Sequence, residues 1–248
     1  MTNLLNQINE KINQFNQKVN YDFKPMKIIF NLGTPTALSY PWIFFDGLIS
    51  HILLQDILGS LFDDLPPRVP LDFVDNLFLP IKRTNIQNDF IYHSSVSIFE
   101  HPNEFSTMTI HKQFGGSNSE ENLKTNLKRV DIVRGPLKLF QLTYPVNNSK
   151  KVWFYVNGDR KKLEELLSYI TSLGKKRDIG YGSIVSSKIE MMDSDESLIH
   201  EGKIMRTIPI EYCSELKIIP KSDNVALMNY KSPYWNKSNI KLCTIPEC

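Results

Sequence analysis

Residues 173–182 read Leu-Gly-Lys-Lys-Arg-Asp-Ile-Gly-Tyr-Gly, and we call this stretch the glycine loop. It holds three glycines, one tyrosine and the consecutive cations Lys175, Lys176 and Arg177. Glycine permits positive φ angles and a close approach of another backbone, and the three cations concentrate positive charge. A tyrosine between two glycines can present an unobstructed ring face. Flexible backbone, cations and an aromatic ring together suit a phosphate chain with stackable bases, that is, RNA or single-stranded DNA.

Other phosphate-binding loops differ from this one in order and spacing. A P-loop runs from strand to helix and requires Gly-x-x-x-x-Gly-Lys-Ser/Thr, whereas here a predicted helix over 160–173 precedes the loop and a predicted strand over 183–191 follows it. A dinucleotide fingerprint opens a helix, whereas the Gly-Tyr-Gly triplet at 180–182 opens a strand. A simpler interpretation is that Gly174 caps the helix and that the lysines complement its dipole. That interpretation explains the Gly-Tyr-Gly triplet poorly.

Charge is distributed unevenly along the 248 residues, whose formal net charge is +2. Between Lys124 and Arg177, thirteen Lys/Arg and four Asp/Glu residues give +9, so the remainder carries −7. A basic segment in an otherwise acidic chain indicates a local polyanion site; the alternative is a solvated basic face. We predict that a track of further cations extends the loop: Lys124, Lys128, Arg129, Arg134 and Lys138.

Composition is that of an ordinary globular protein, with 41% hydrophobic and 23% charged residues. No apolar run reaches the roughly 18 residues that a membrane span requires, and the Asn/Gln-rich start does not resemble a signal peptide. Cys213, Cys243 and Cys248 lack metal-site spacing, and we expect them to be reduced thiols. We therefore expect a cytoplasmic protein without membrane contact.

Hydrophobic periodicity predicts the order of the elements. Residues 1–20 form an amphipathic helix with one apolar stripe, expected to pack on this chain or on a partner. The predicted strands are 27–32, 79–84, 90–99, 107–114, 131–144, 151–156, 183–191 and 204–210, and the further predicted helices are 42–61 and 160–173. This split strand-helix-strand order suits a ferredoxin-like α+β fold with a strand-rich insertion.

Candidate catalytic residues lack a supporting pattern. None of the five histidines has metal-ligand spacing, so we predict no metal and no cofactor. RNA cleavage without a metal needs a base, an acid and a cation. His93 or His111 with Tyr181 and a lysine could supply these groups, but no spacing supports the arrangement. We therefore expect no catalytic residues.

Several motifs resemble, in order, those of the RAMP superfamily of CRISPR proteins. The glycine loop resembles the glycine-rich loop of this superfamily, and most closely that of the Cas-five-like subunit of type IV effector complexes. The other motifs are Pro41-Trp-Ile-Phe-Phe-Asp-Gly-Leu-Ile49, Tyr155-Val-Asn-Gly-Asp159, Asp195-Glu-Ser-Leu198 and Met205-Arg-Thr-Ile-Pro209. The resemblance covers residues 27–210, and the N-terminal helix has no counterpart in it.

The resemblance implies a ferredoxin-like (RRM-like) RAMP domain over 27–210, whose strand-rich insertion over 79–145 forms a thumb. An N-terminal amphipathic helix within 1–26 precedes this domain. A tail over 211–248, predicted to be irregular, follows it.

The implied function is that of a non-catalytic RNA-binding subunit of a CRISPR effector ribonucleoprotein that acts in antiviral defence. Such a subunit caps the 5′ handle of the guide RNA (crRNA) and docks against a backbone subunit and a large subunit. Gly174, Gly180 and Gly182 would place amides beneath phosphates that the loop cations contact, and Tyr181 would stack on a base. Arg206 is either a phosphate contact or a salt-bridge partner.

Two alternatives remain open at this stage. One is a metal-independent endoribonuclease of the same superfamily that processes guide RNA. The other is a protein-interaction module whose basic segment meets acidic partners. Protection of RNA during purification separates the RNA-binding subunit from the interaction module, and cleavage of a repeat RNA identifies the endoribonuclease.

Overall fold

The computed structural model describes residues 2–39, 41–65, 72–112, 131, 133–134, 138–220 and 224–247. Helices and small antiparallel sheets combine in these residues, in agreement with the predicted α+β class. The helices are α1 Thr2–Asn16, α2 Phe45–Leu58, α3 Arg160–Leu167 and α4 Ile210–Cys213. The strands are β1 Phe23–Leu32, β2 Thr36–Ala37, β3 Arg83–Ile86, β4 Asp89–Tyr92, β5 Ile98–Phe99, β6 Phe105–Lys112, β7 Phe140–Asn147, β8 Lys151–Asp159, β9 Ile184–Met191, β10 Ile199–His200, β11 Lys203–Ile204, β12 Ile208–Pro209, β13 Val225–Asn229 and β14 Ile240–Thr244.

The largest sheet has the strand order β5-β8-β1-β9, and all of its pairings are antiparallel. Helix α2 lies in the connection from β1 to β5, and helix α3 lies in the connection from β8 to β9. Along β1, buried residues alternate with partly exposed ones from Met26 to Leu32, because successive side chains of a strand point to opposite faces. One face of this sheet therefore belongs to the core.

The main core joins this face to three helices. Phe30 of β1 meets Phe154 of β8 edge to face, with ring centroids 6.0 Å apart. Ile8 and Ile12 of α1 are 0% and 1% exposed within the same core. The N-terminal helix therefore packs on its own chain, which was one of the two packing partners expected from its apolar stripe.

Helix α2 and its 3₁₀ extension form an apolar stretch of 18 residues, Phe45–Phe62, with mean hydropathy 1.2. By length and composition alone this stretch is long enough to cross a membrane, so the expectation that no run reaches that length is wrong. Ile49 and Leu53 within it are fully buried in the main core. Packing against the sheet thus explains the apolar character of α2.

The C-terminal segment is more ordered than predicted. The sequence predicts an irregular tail over 211–248, whereas β13 and β14 form a three-stranded sheet with β12. This sheet and α4 enclose a second core with Ile86 and Ile91 from the β3–β4 hairpin. The prediction fails here because strands of two to five residues carry too little periodicity to be recognised. The domain boundaries themselves stay a prediction.

The insertion contributes two separate hairpins. Strands β3 and β4 pair with each other and pack on the second core. Strands β6 and β7 form a largely exposed hairpin that β2 extends to a three-stranded sheet. The predicted strand over 131–144 begins only at Phe140, and most of the segment between β6 and β7 lies outside the described residues.

Candidate nucleic-acid interface

Helix α3 delivers the chain towards the glycine loop. Its N-cap is Asp159, as the sequence predicts, and the Asp159 Oδ1 atom accepts a hydrogen bond from the Lys162 amide at 2.8 Å. The helix ends at Leu167, and its C-cap is Ser168. Gly174 is therefore not a helix cap, and the simpler interpretation of this glycine is wrong.

Two glycines of the loop are held by close backbone contacts. At Gly174, with φ +81°, an added Cβ atom would lie 2.4 Å from the Ala37 carbonyl oxygen. At Gly182, with φ +65°, it would lie 1.9 Å from the Leu173 carbonyl oxygen. Neither position has room for a side chain. Gly174 is thus required where the loop meets Ala37 of the neighbouring segment, and Gly182 where the end of the loop meets its start at Leu173.

The neighbouring segment is the turn from Gly33 to Ala37, which lies between the predicted strand over 27–32 and the predicted helix over 42–61. The Thr34 hydroxyl donates to the Gly180 carbonyl oxygen at 2.7 Å and accepts from the Ser183 amide at 2.9 Å. In addition, the Lys175 amide donates to the Ala37 carbonyl oxygen at 2.7 Å, and the Gly182 amide donates to the Pro35 carbonyl oxygen at 2.8 Å. The turn fixes both ends of the loop. Its Gly-Thr-Pro sequence was the only signal that could have pointed to it.

The three cations lie on the exposed side of the loop. Lys175 and Arg177 are exposed, and Lys176 is half-buried in the left-handed conformation with φ +59°. Within the described part of the chain, none of the three has a carboxylate oxygen within 4.0 Å. They line an open depression of about 590 Å³ together with Thr171, Ser172, Gly174 and Asp178. The charge of the loop is therefore available to a ligand.

The loop has contacts on two sides. The Lys176 Nζ atom lies 5.3 Å from the centre of the Tyr144 ring on β7, a cation–π distance. On the other side, burial and the nearby charge of Arg177 lower the pKa of His51 on α2. The Lys176 side chain thus joins the loop to the β6–β7 hairpin, and the charge of Arg177 acts on His51 of helix α2.

The remaining loop positions differ in their surroundings. Gly180 has φ +93°, and no described atom lies within 4 Å of a Cβ atom added there. Tyr181 is partly exposed, and its amide donates to the Lys176 carbonyl oxygen at 3.3 Å. The role of Tyr181 as a stacking ring stays a prediction.

The predicted basic track is described only in part. Arg134 and Lys138 are exposed in the segment that leads into β7. The Arg134 amide donates to the Asp131 Oδ1 atom at 3.0 Å, which leaves its guanidinium out of that contact. Lys124, Lys128 and Arg129 lie outside the described residues.

Arg206 is in a different environment from the loop cations. It is 1% exposed, and it donates to carbonyl oxygens of Tyr92, of Ser94 at 3.1 Å and of Tyr230 at 2.7 Å. A guanidinium nitrogen lies 3.7 Å from the Asp46 Oδ2 atom. Of the two roles considered for Arg206, this geometry is that of a salt-bridge partner.

Asp46 completes this buried cluster. The Tyr234 hydroxyl donates to the Asp46 carboxylate at 2.8 Å, and burial together with the charge of Asp46 raises the pKa of Tyr234. We call Asp46, Arg206 and Tyr234 the buried cluster. Because Asp46 belongs to α2 and Tyr234 to the C-terminal segment, the cluster joins helix α2 to that segment.

His93 does not approach the glycine loop. His93 Nδ1 lies 2.7 Å from the Asp195 Oδ2 atom, and His93 Nε2 lies 2.7 Å from the Thr84 hydroxyl. The same Asp195 oxygen accepts a bond from Asn157, which pairs with Pro25 near the start of β1.

Leu32, at the other end of β1, pairs with Ile184 beside the loop. Seven residues of strand separate Pro25 from Leu32, about 23 Å, so the structure does not bring His93 and Tyr181 together. His111 is exposed on β6. The described residues contain no group of three or more His, Cys, Asp or Glu side chains that could hold a metal ion.

Comparison with known families identifies a match that covers most of the chain. The sequence model of the family described as CRISPR type IV associated protein Csf3 matches residues 24–246. The matched range contains every motif on which the RAMP resemblance rests, including the glycine loop. A search of curated proteins found no match.

Proposed function

Because the chain belongs to the Csf3 family of CRISPR type IV associated proteins, we propose that it binds guide RNA through its glycine loop. The family is a RAMP-type, Cas-five-like subunit, so the resemblance drawn from the motifs is confirmed, and the protein is a subunit of a CRISPR effector complex. In our proposal this cytoplasmic subunit caps the 5′ handle of the guide RNA and docks against a backbone subunit and a large subunit.

The observation that carries the proposal is the state of the three loop cations. They have no carboxylate partner among the described residues, and they follow a glycine that has no room for a side chain. A cation without a carboxylate partner, on a loop whose two ends are hydrogen-bonded to the neighbouring turn, is suited to bind phosphate, and phosphate contacts dominate the affinity of proteins for nucleic acid. The half-exposed ring of Tyr181 adds a surface on which a base can stack.

The topology supports a ferredoxin-like RAMP domain as part of the same proposal. The order β5-β8-β1-β9, with one helix in each of two connections, is that expected for a split β-α-β arrangement. The β6–β7 hairpin is the proposed thumb. The contact between Lys176 and Tyr144 then places the base of the thumb beside the RNA site.

We propose that the subunit is not a nuclease. Both ring nitrogens of His93 are engaged by Thr84 and Asp195, and the distance along β1 keeps His93 away from the loop cations. Purified protein should leave its cognate repeat RNA intact, with or without divalent metal, in a gel assay. Specific cleavage that disappears in His93→Ala or His111→Ala would instead support the endoribonuclease alternative.

The direct test replaces Lys175, Lys176 and Arg177 together with alanine. Each lost phosphate contact removes about 0.7 from the slope of log affinity against log salt on single strands, so three contacts remove about 2. The matched control replaces three exposed lysines elsewhere, Lys188, Lys203 and Lys237, and should leave the slope unchanged. An unchanged slope in the loop variant would show that the loop does not contact phosphate.

A further inference from the structure

A second concave site lies at the end of β1 that is remote from the glycine loop. We call it the aromatic pocket; it has a volume of about 270 Å³ and is lined by Tyr21, Phe23, Phe78, Leu79, Ile81 and Arg83. Leu79 and Ile81 are buried and form its floor. Phe23 and Phe78 form its walls and remain 39% and 42% exposed. Two large rings thus stay open to solvent around a preformed apolar floor.

Arg83 gives this pocket a polar edge. Its guanidinium lies 4.8 Å from the Phe78 ring centre and 5.0 Å from the Phe90 ring centre, so two aromatic rings hold its plane. Its one hydrogen bond to the described residues goes to the Asp75 carbonyl oxygen at 3.4 Å. No described carboxylate lies within 4.0 Å of it. A guanidinium carries five N–H donors, so most of its donors are available for a carboxylate.

The surrounding charge disfavours nucleic acid as the occupant. Asp22 and Asp159 lie beside the pocket, where the Asp22 amide donates to the Asp159 carboxylate at 2.9 Å. Burial and the negative charge of Asp159 also raise the pKa of Tyr21. An RNA strand brings one phosphate per nucleotide, whereas the described lining of the pocket holds a single cation, Arg83, and the neighbouring Lys24 is already paired with Asp22 at 2.6 Å. One carboxylate, in contrast, is matched by one guanidinium.

We propose that the aromatic pocket is the docking site for another subunit of the effector complex. The segment that docks presents an aromatic or large aliphatic side chain to the apolar floor and an adjacent Asp or Glu to Arg83. A buried anchor beside an arginine is the usual composition of an interface hot spot. This inference relies on the proposed function for a neighbouring subunit, and it does not depend on RNA binding by the glycine loop.

The test measures the affinity of the full-length chain for the ribonucleoprotein of the remaining subunits and guide RNA, purified without this chain. Phe78→Ala and Arg83→Gln should each weaken binding by about tenfold or more, and Arg83→Lys should fall between wild type and Arg83→Gln because lysine lacks the planar fork. The matched control is Leu227→Ala, which removes an exposed apolar side chain (74%) from the C-terminal sheet. Thermal unfolding of each variant establishes that it is folded.

Photo-crosslinking identifies the occupant. A benzoylphenylalanine at position 78 should crosslink to a protein segment of another subunit that contains an acidic residue. A crosslink to guide RNA, a crosslink within this chain, or unchanged affinity in both folded variants would overturn the proposal.

Failure of the RNA proposal gives a different result. In that case the triple alanine variant of the glycine loop keeps its affinity for free guide RNA, whatever the pocket variants show. Conversely, if the aromatic pocket docks no subunit, the triple alanine variant of the glycine loop still shows the reduced salt dependence of RNA binding. The two readouts separate the two proposals.

Discussion

The glycine loop and the buried cluster use arginine in opposite ways. Arg177 is exposed on a loop whose cations have no carboxylate partner among the described residues. Arg206 is 1% exposed and is surrounded by carbonyl oxygens, Asp46 and Tyr234. Both residues belong to motifs that resemble those of RAMP proteins; Arg177 was predicted as an RNA contact, and Arg206 as either a phosphate contact or a salt-bridge partner. The comparison teaches that membership of a motif does not separate a ligand-binding cation from a structural one.

Burial is what separates them. Taking a guanidinium out of water has a large free-energy cost unless every donor finds an acceptor. Around Arg206, acceptors from α2, β4 and the C-terminal segment satisfy both terminal guanidinium nitrogens, while its buried Nε has no hydrogen-bond partner among the described residues. The residue therefore joins parts of the fold. Among the described residues Arg177 has no such set of acceptors, and its free N–H donors are the feature that a phosphate can use.

The largest expected effect concerns the buried cluster. Arg206→Ala leaves Asp46 buried without its counter-charge, and we expect a loss of about 3–5 kcal/mol of unfolding free energy. Urea denaturation at pH 7 measures it. The matched control, Arg177→Ala, should change stability by less than about 0.5 kcal/mol and should weaken RNA binding. If the two variants had equal unfolding free energies, Arg206 would not be a structural cation of the kind that distinguishes the buried cluster from the glycine loop.

The next effect compares two glycines within the loop. Gly182→Val places a side chain 1.9 Å from the Leu173 carbonyl oxygen, and we expect it to cost about 3 kcal/mol or more. Gly180→Val meets open space and should cost about 1–2 kcal/mol for its left-handed backbone. Thermal unfolding measures both, with Ser183→Val as the control.

Gly180→Val is therefore the variant that reports on RNA. It should remain folded and bind RNA more weakly than Ser183→Val does in a filter-binding assay. Normal binding by folded Gly180→Val would show that this glycine serves only the turn.

The sequence carries enough periodicity to predict the longest elements. The alternation in β1 and the stripe of α1 survive into the structure because both place apolar residues on one continuous core. Helix α3 is shorter than predicted because Ser168 ends it and its hydroxyl donates to the Glu165 carbonyl oxygen at 2.6 Å. Hydrophobic periodicity does not report such hydrogen bonds between a side chain and the backbone, which compete with continuation of the helix.

The cations of the candidate site could be predicted from the sequence, whereas the distant residues that hold the glycine loop in place could not. Three adjacent cations between glycines are visible in the sequence, whereas Thr34 lies about 140 residues before them and reaches them only through the fold. The burial of Arg206 was equally invisible, because its acceptors are backbone carbonyl oxygens from distant strands. Long-range backbone contacts leave no composition signal.

A smaller effect on stability is expected for a second charged group that the fold holds, the partly buried carboxylate of Asp89. Burial raises its pKa, but hydrogen bonds from Lys231, Tyr230 and Tyr212 outweigh burial and lower the pKa to about 2. A carboxyl with a depressed folded pKa stabilises the protein above its unfolded pKa near 4, and this stability is lost as pH falls towards 2. Because Asp89 is only partly buried and solvent screens its interactions, the expected loss is about 1 kcal/mol.

Urea unfolding between pH 5 and pH 2.5 tests this prediction. Wild type should lose more stability over this range than Asp89→Asn, which cannot titrate at that position. Parallel curves for the two proteins would show that Asp89 is not the group responsible.

The smallest effect concerns the contact that joins the glycine loop to the hairpin. Lys176 lies over the Tyr144 ring at 5.3 Å in a half-exposed position, and such a cation–π contact contributes about 0.5–1 kcal/mol. A double-mutant cycle of Tyr144→Leu and Lys176→Met isolates the coupling energy from other effects of each change. A coupling well above 1 kcal/mol would place Lys176 among the structural cations, with Arg206. A coupling below 1 kcal/mol, together with a reduced salt slope for Lys176→Met, would place it with Arg177, because a cation held so weakly by the protein remains available to phosphate.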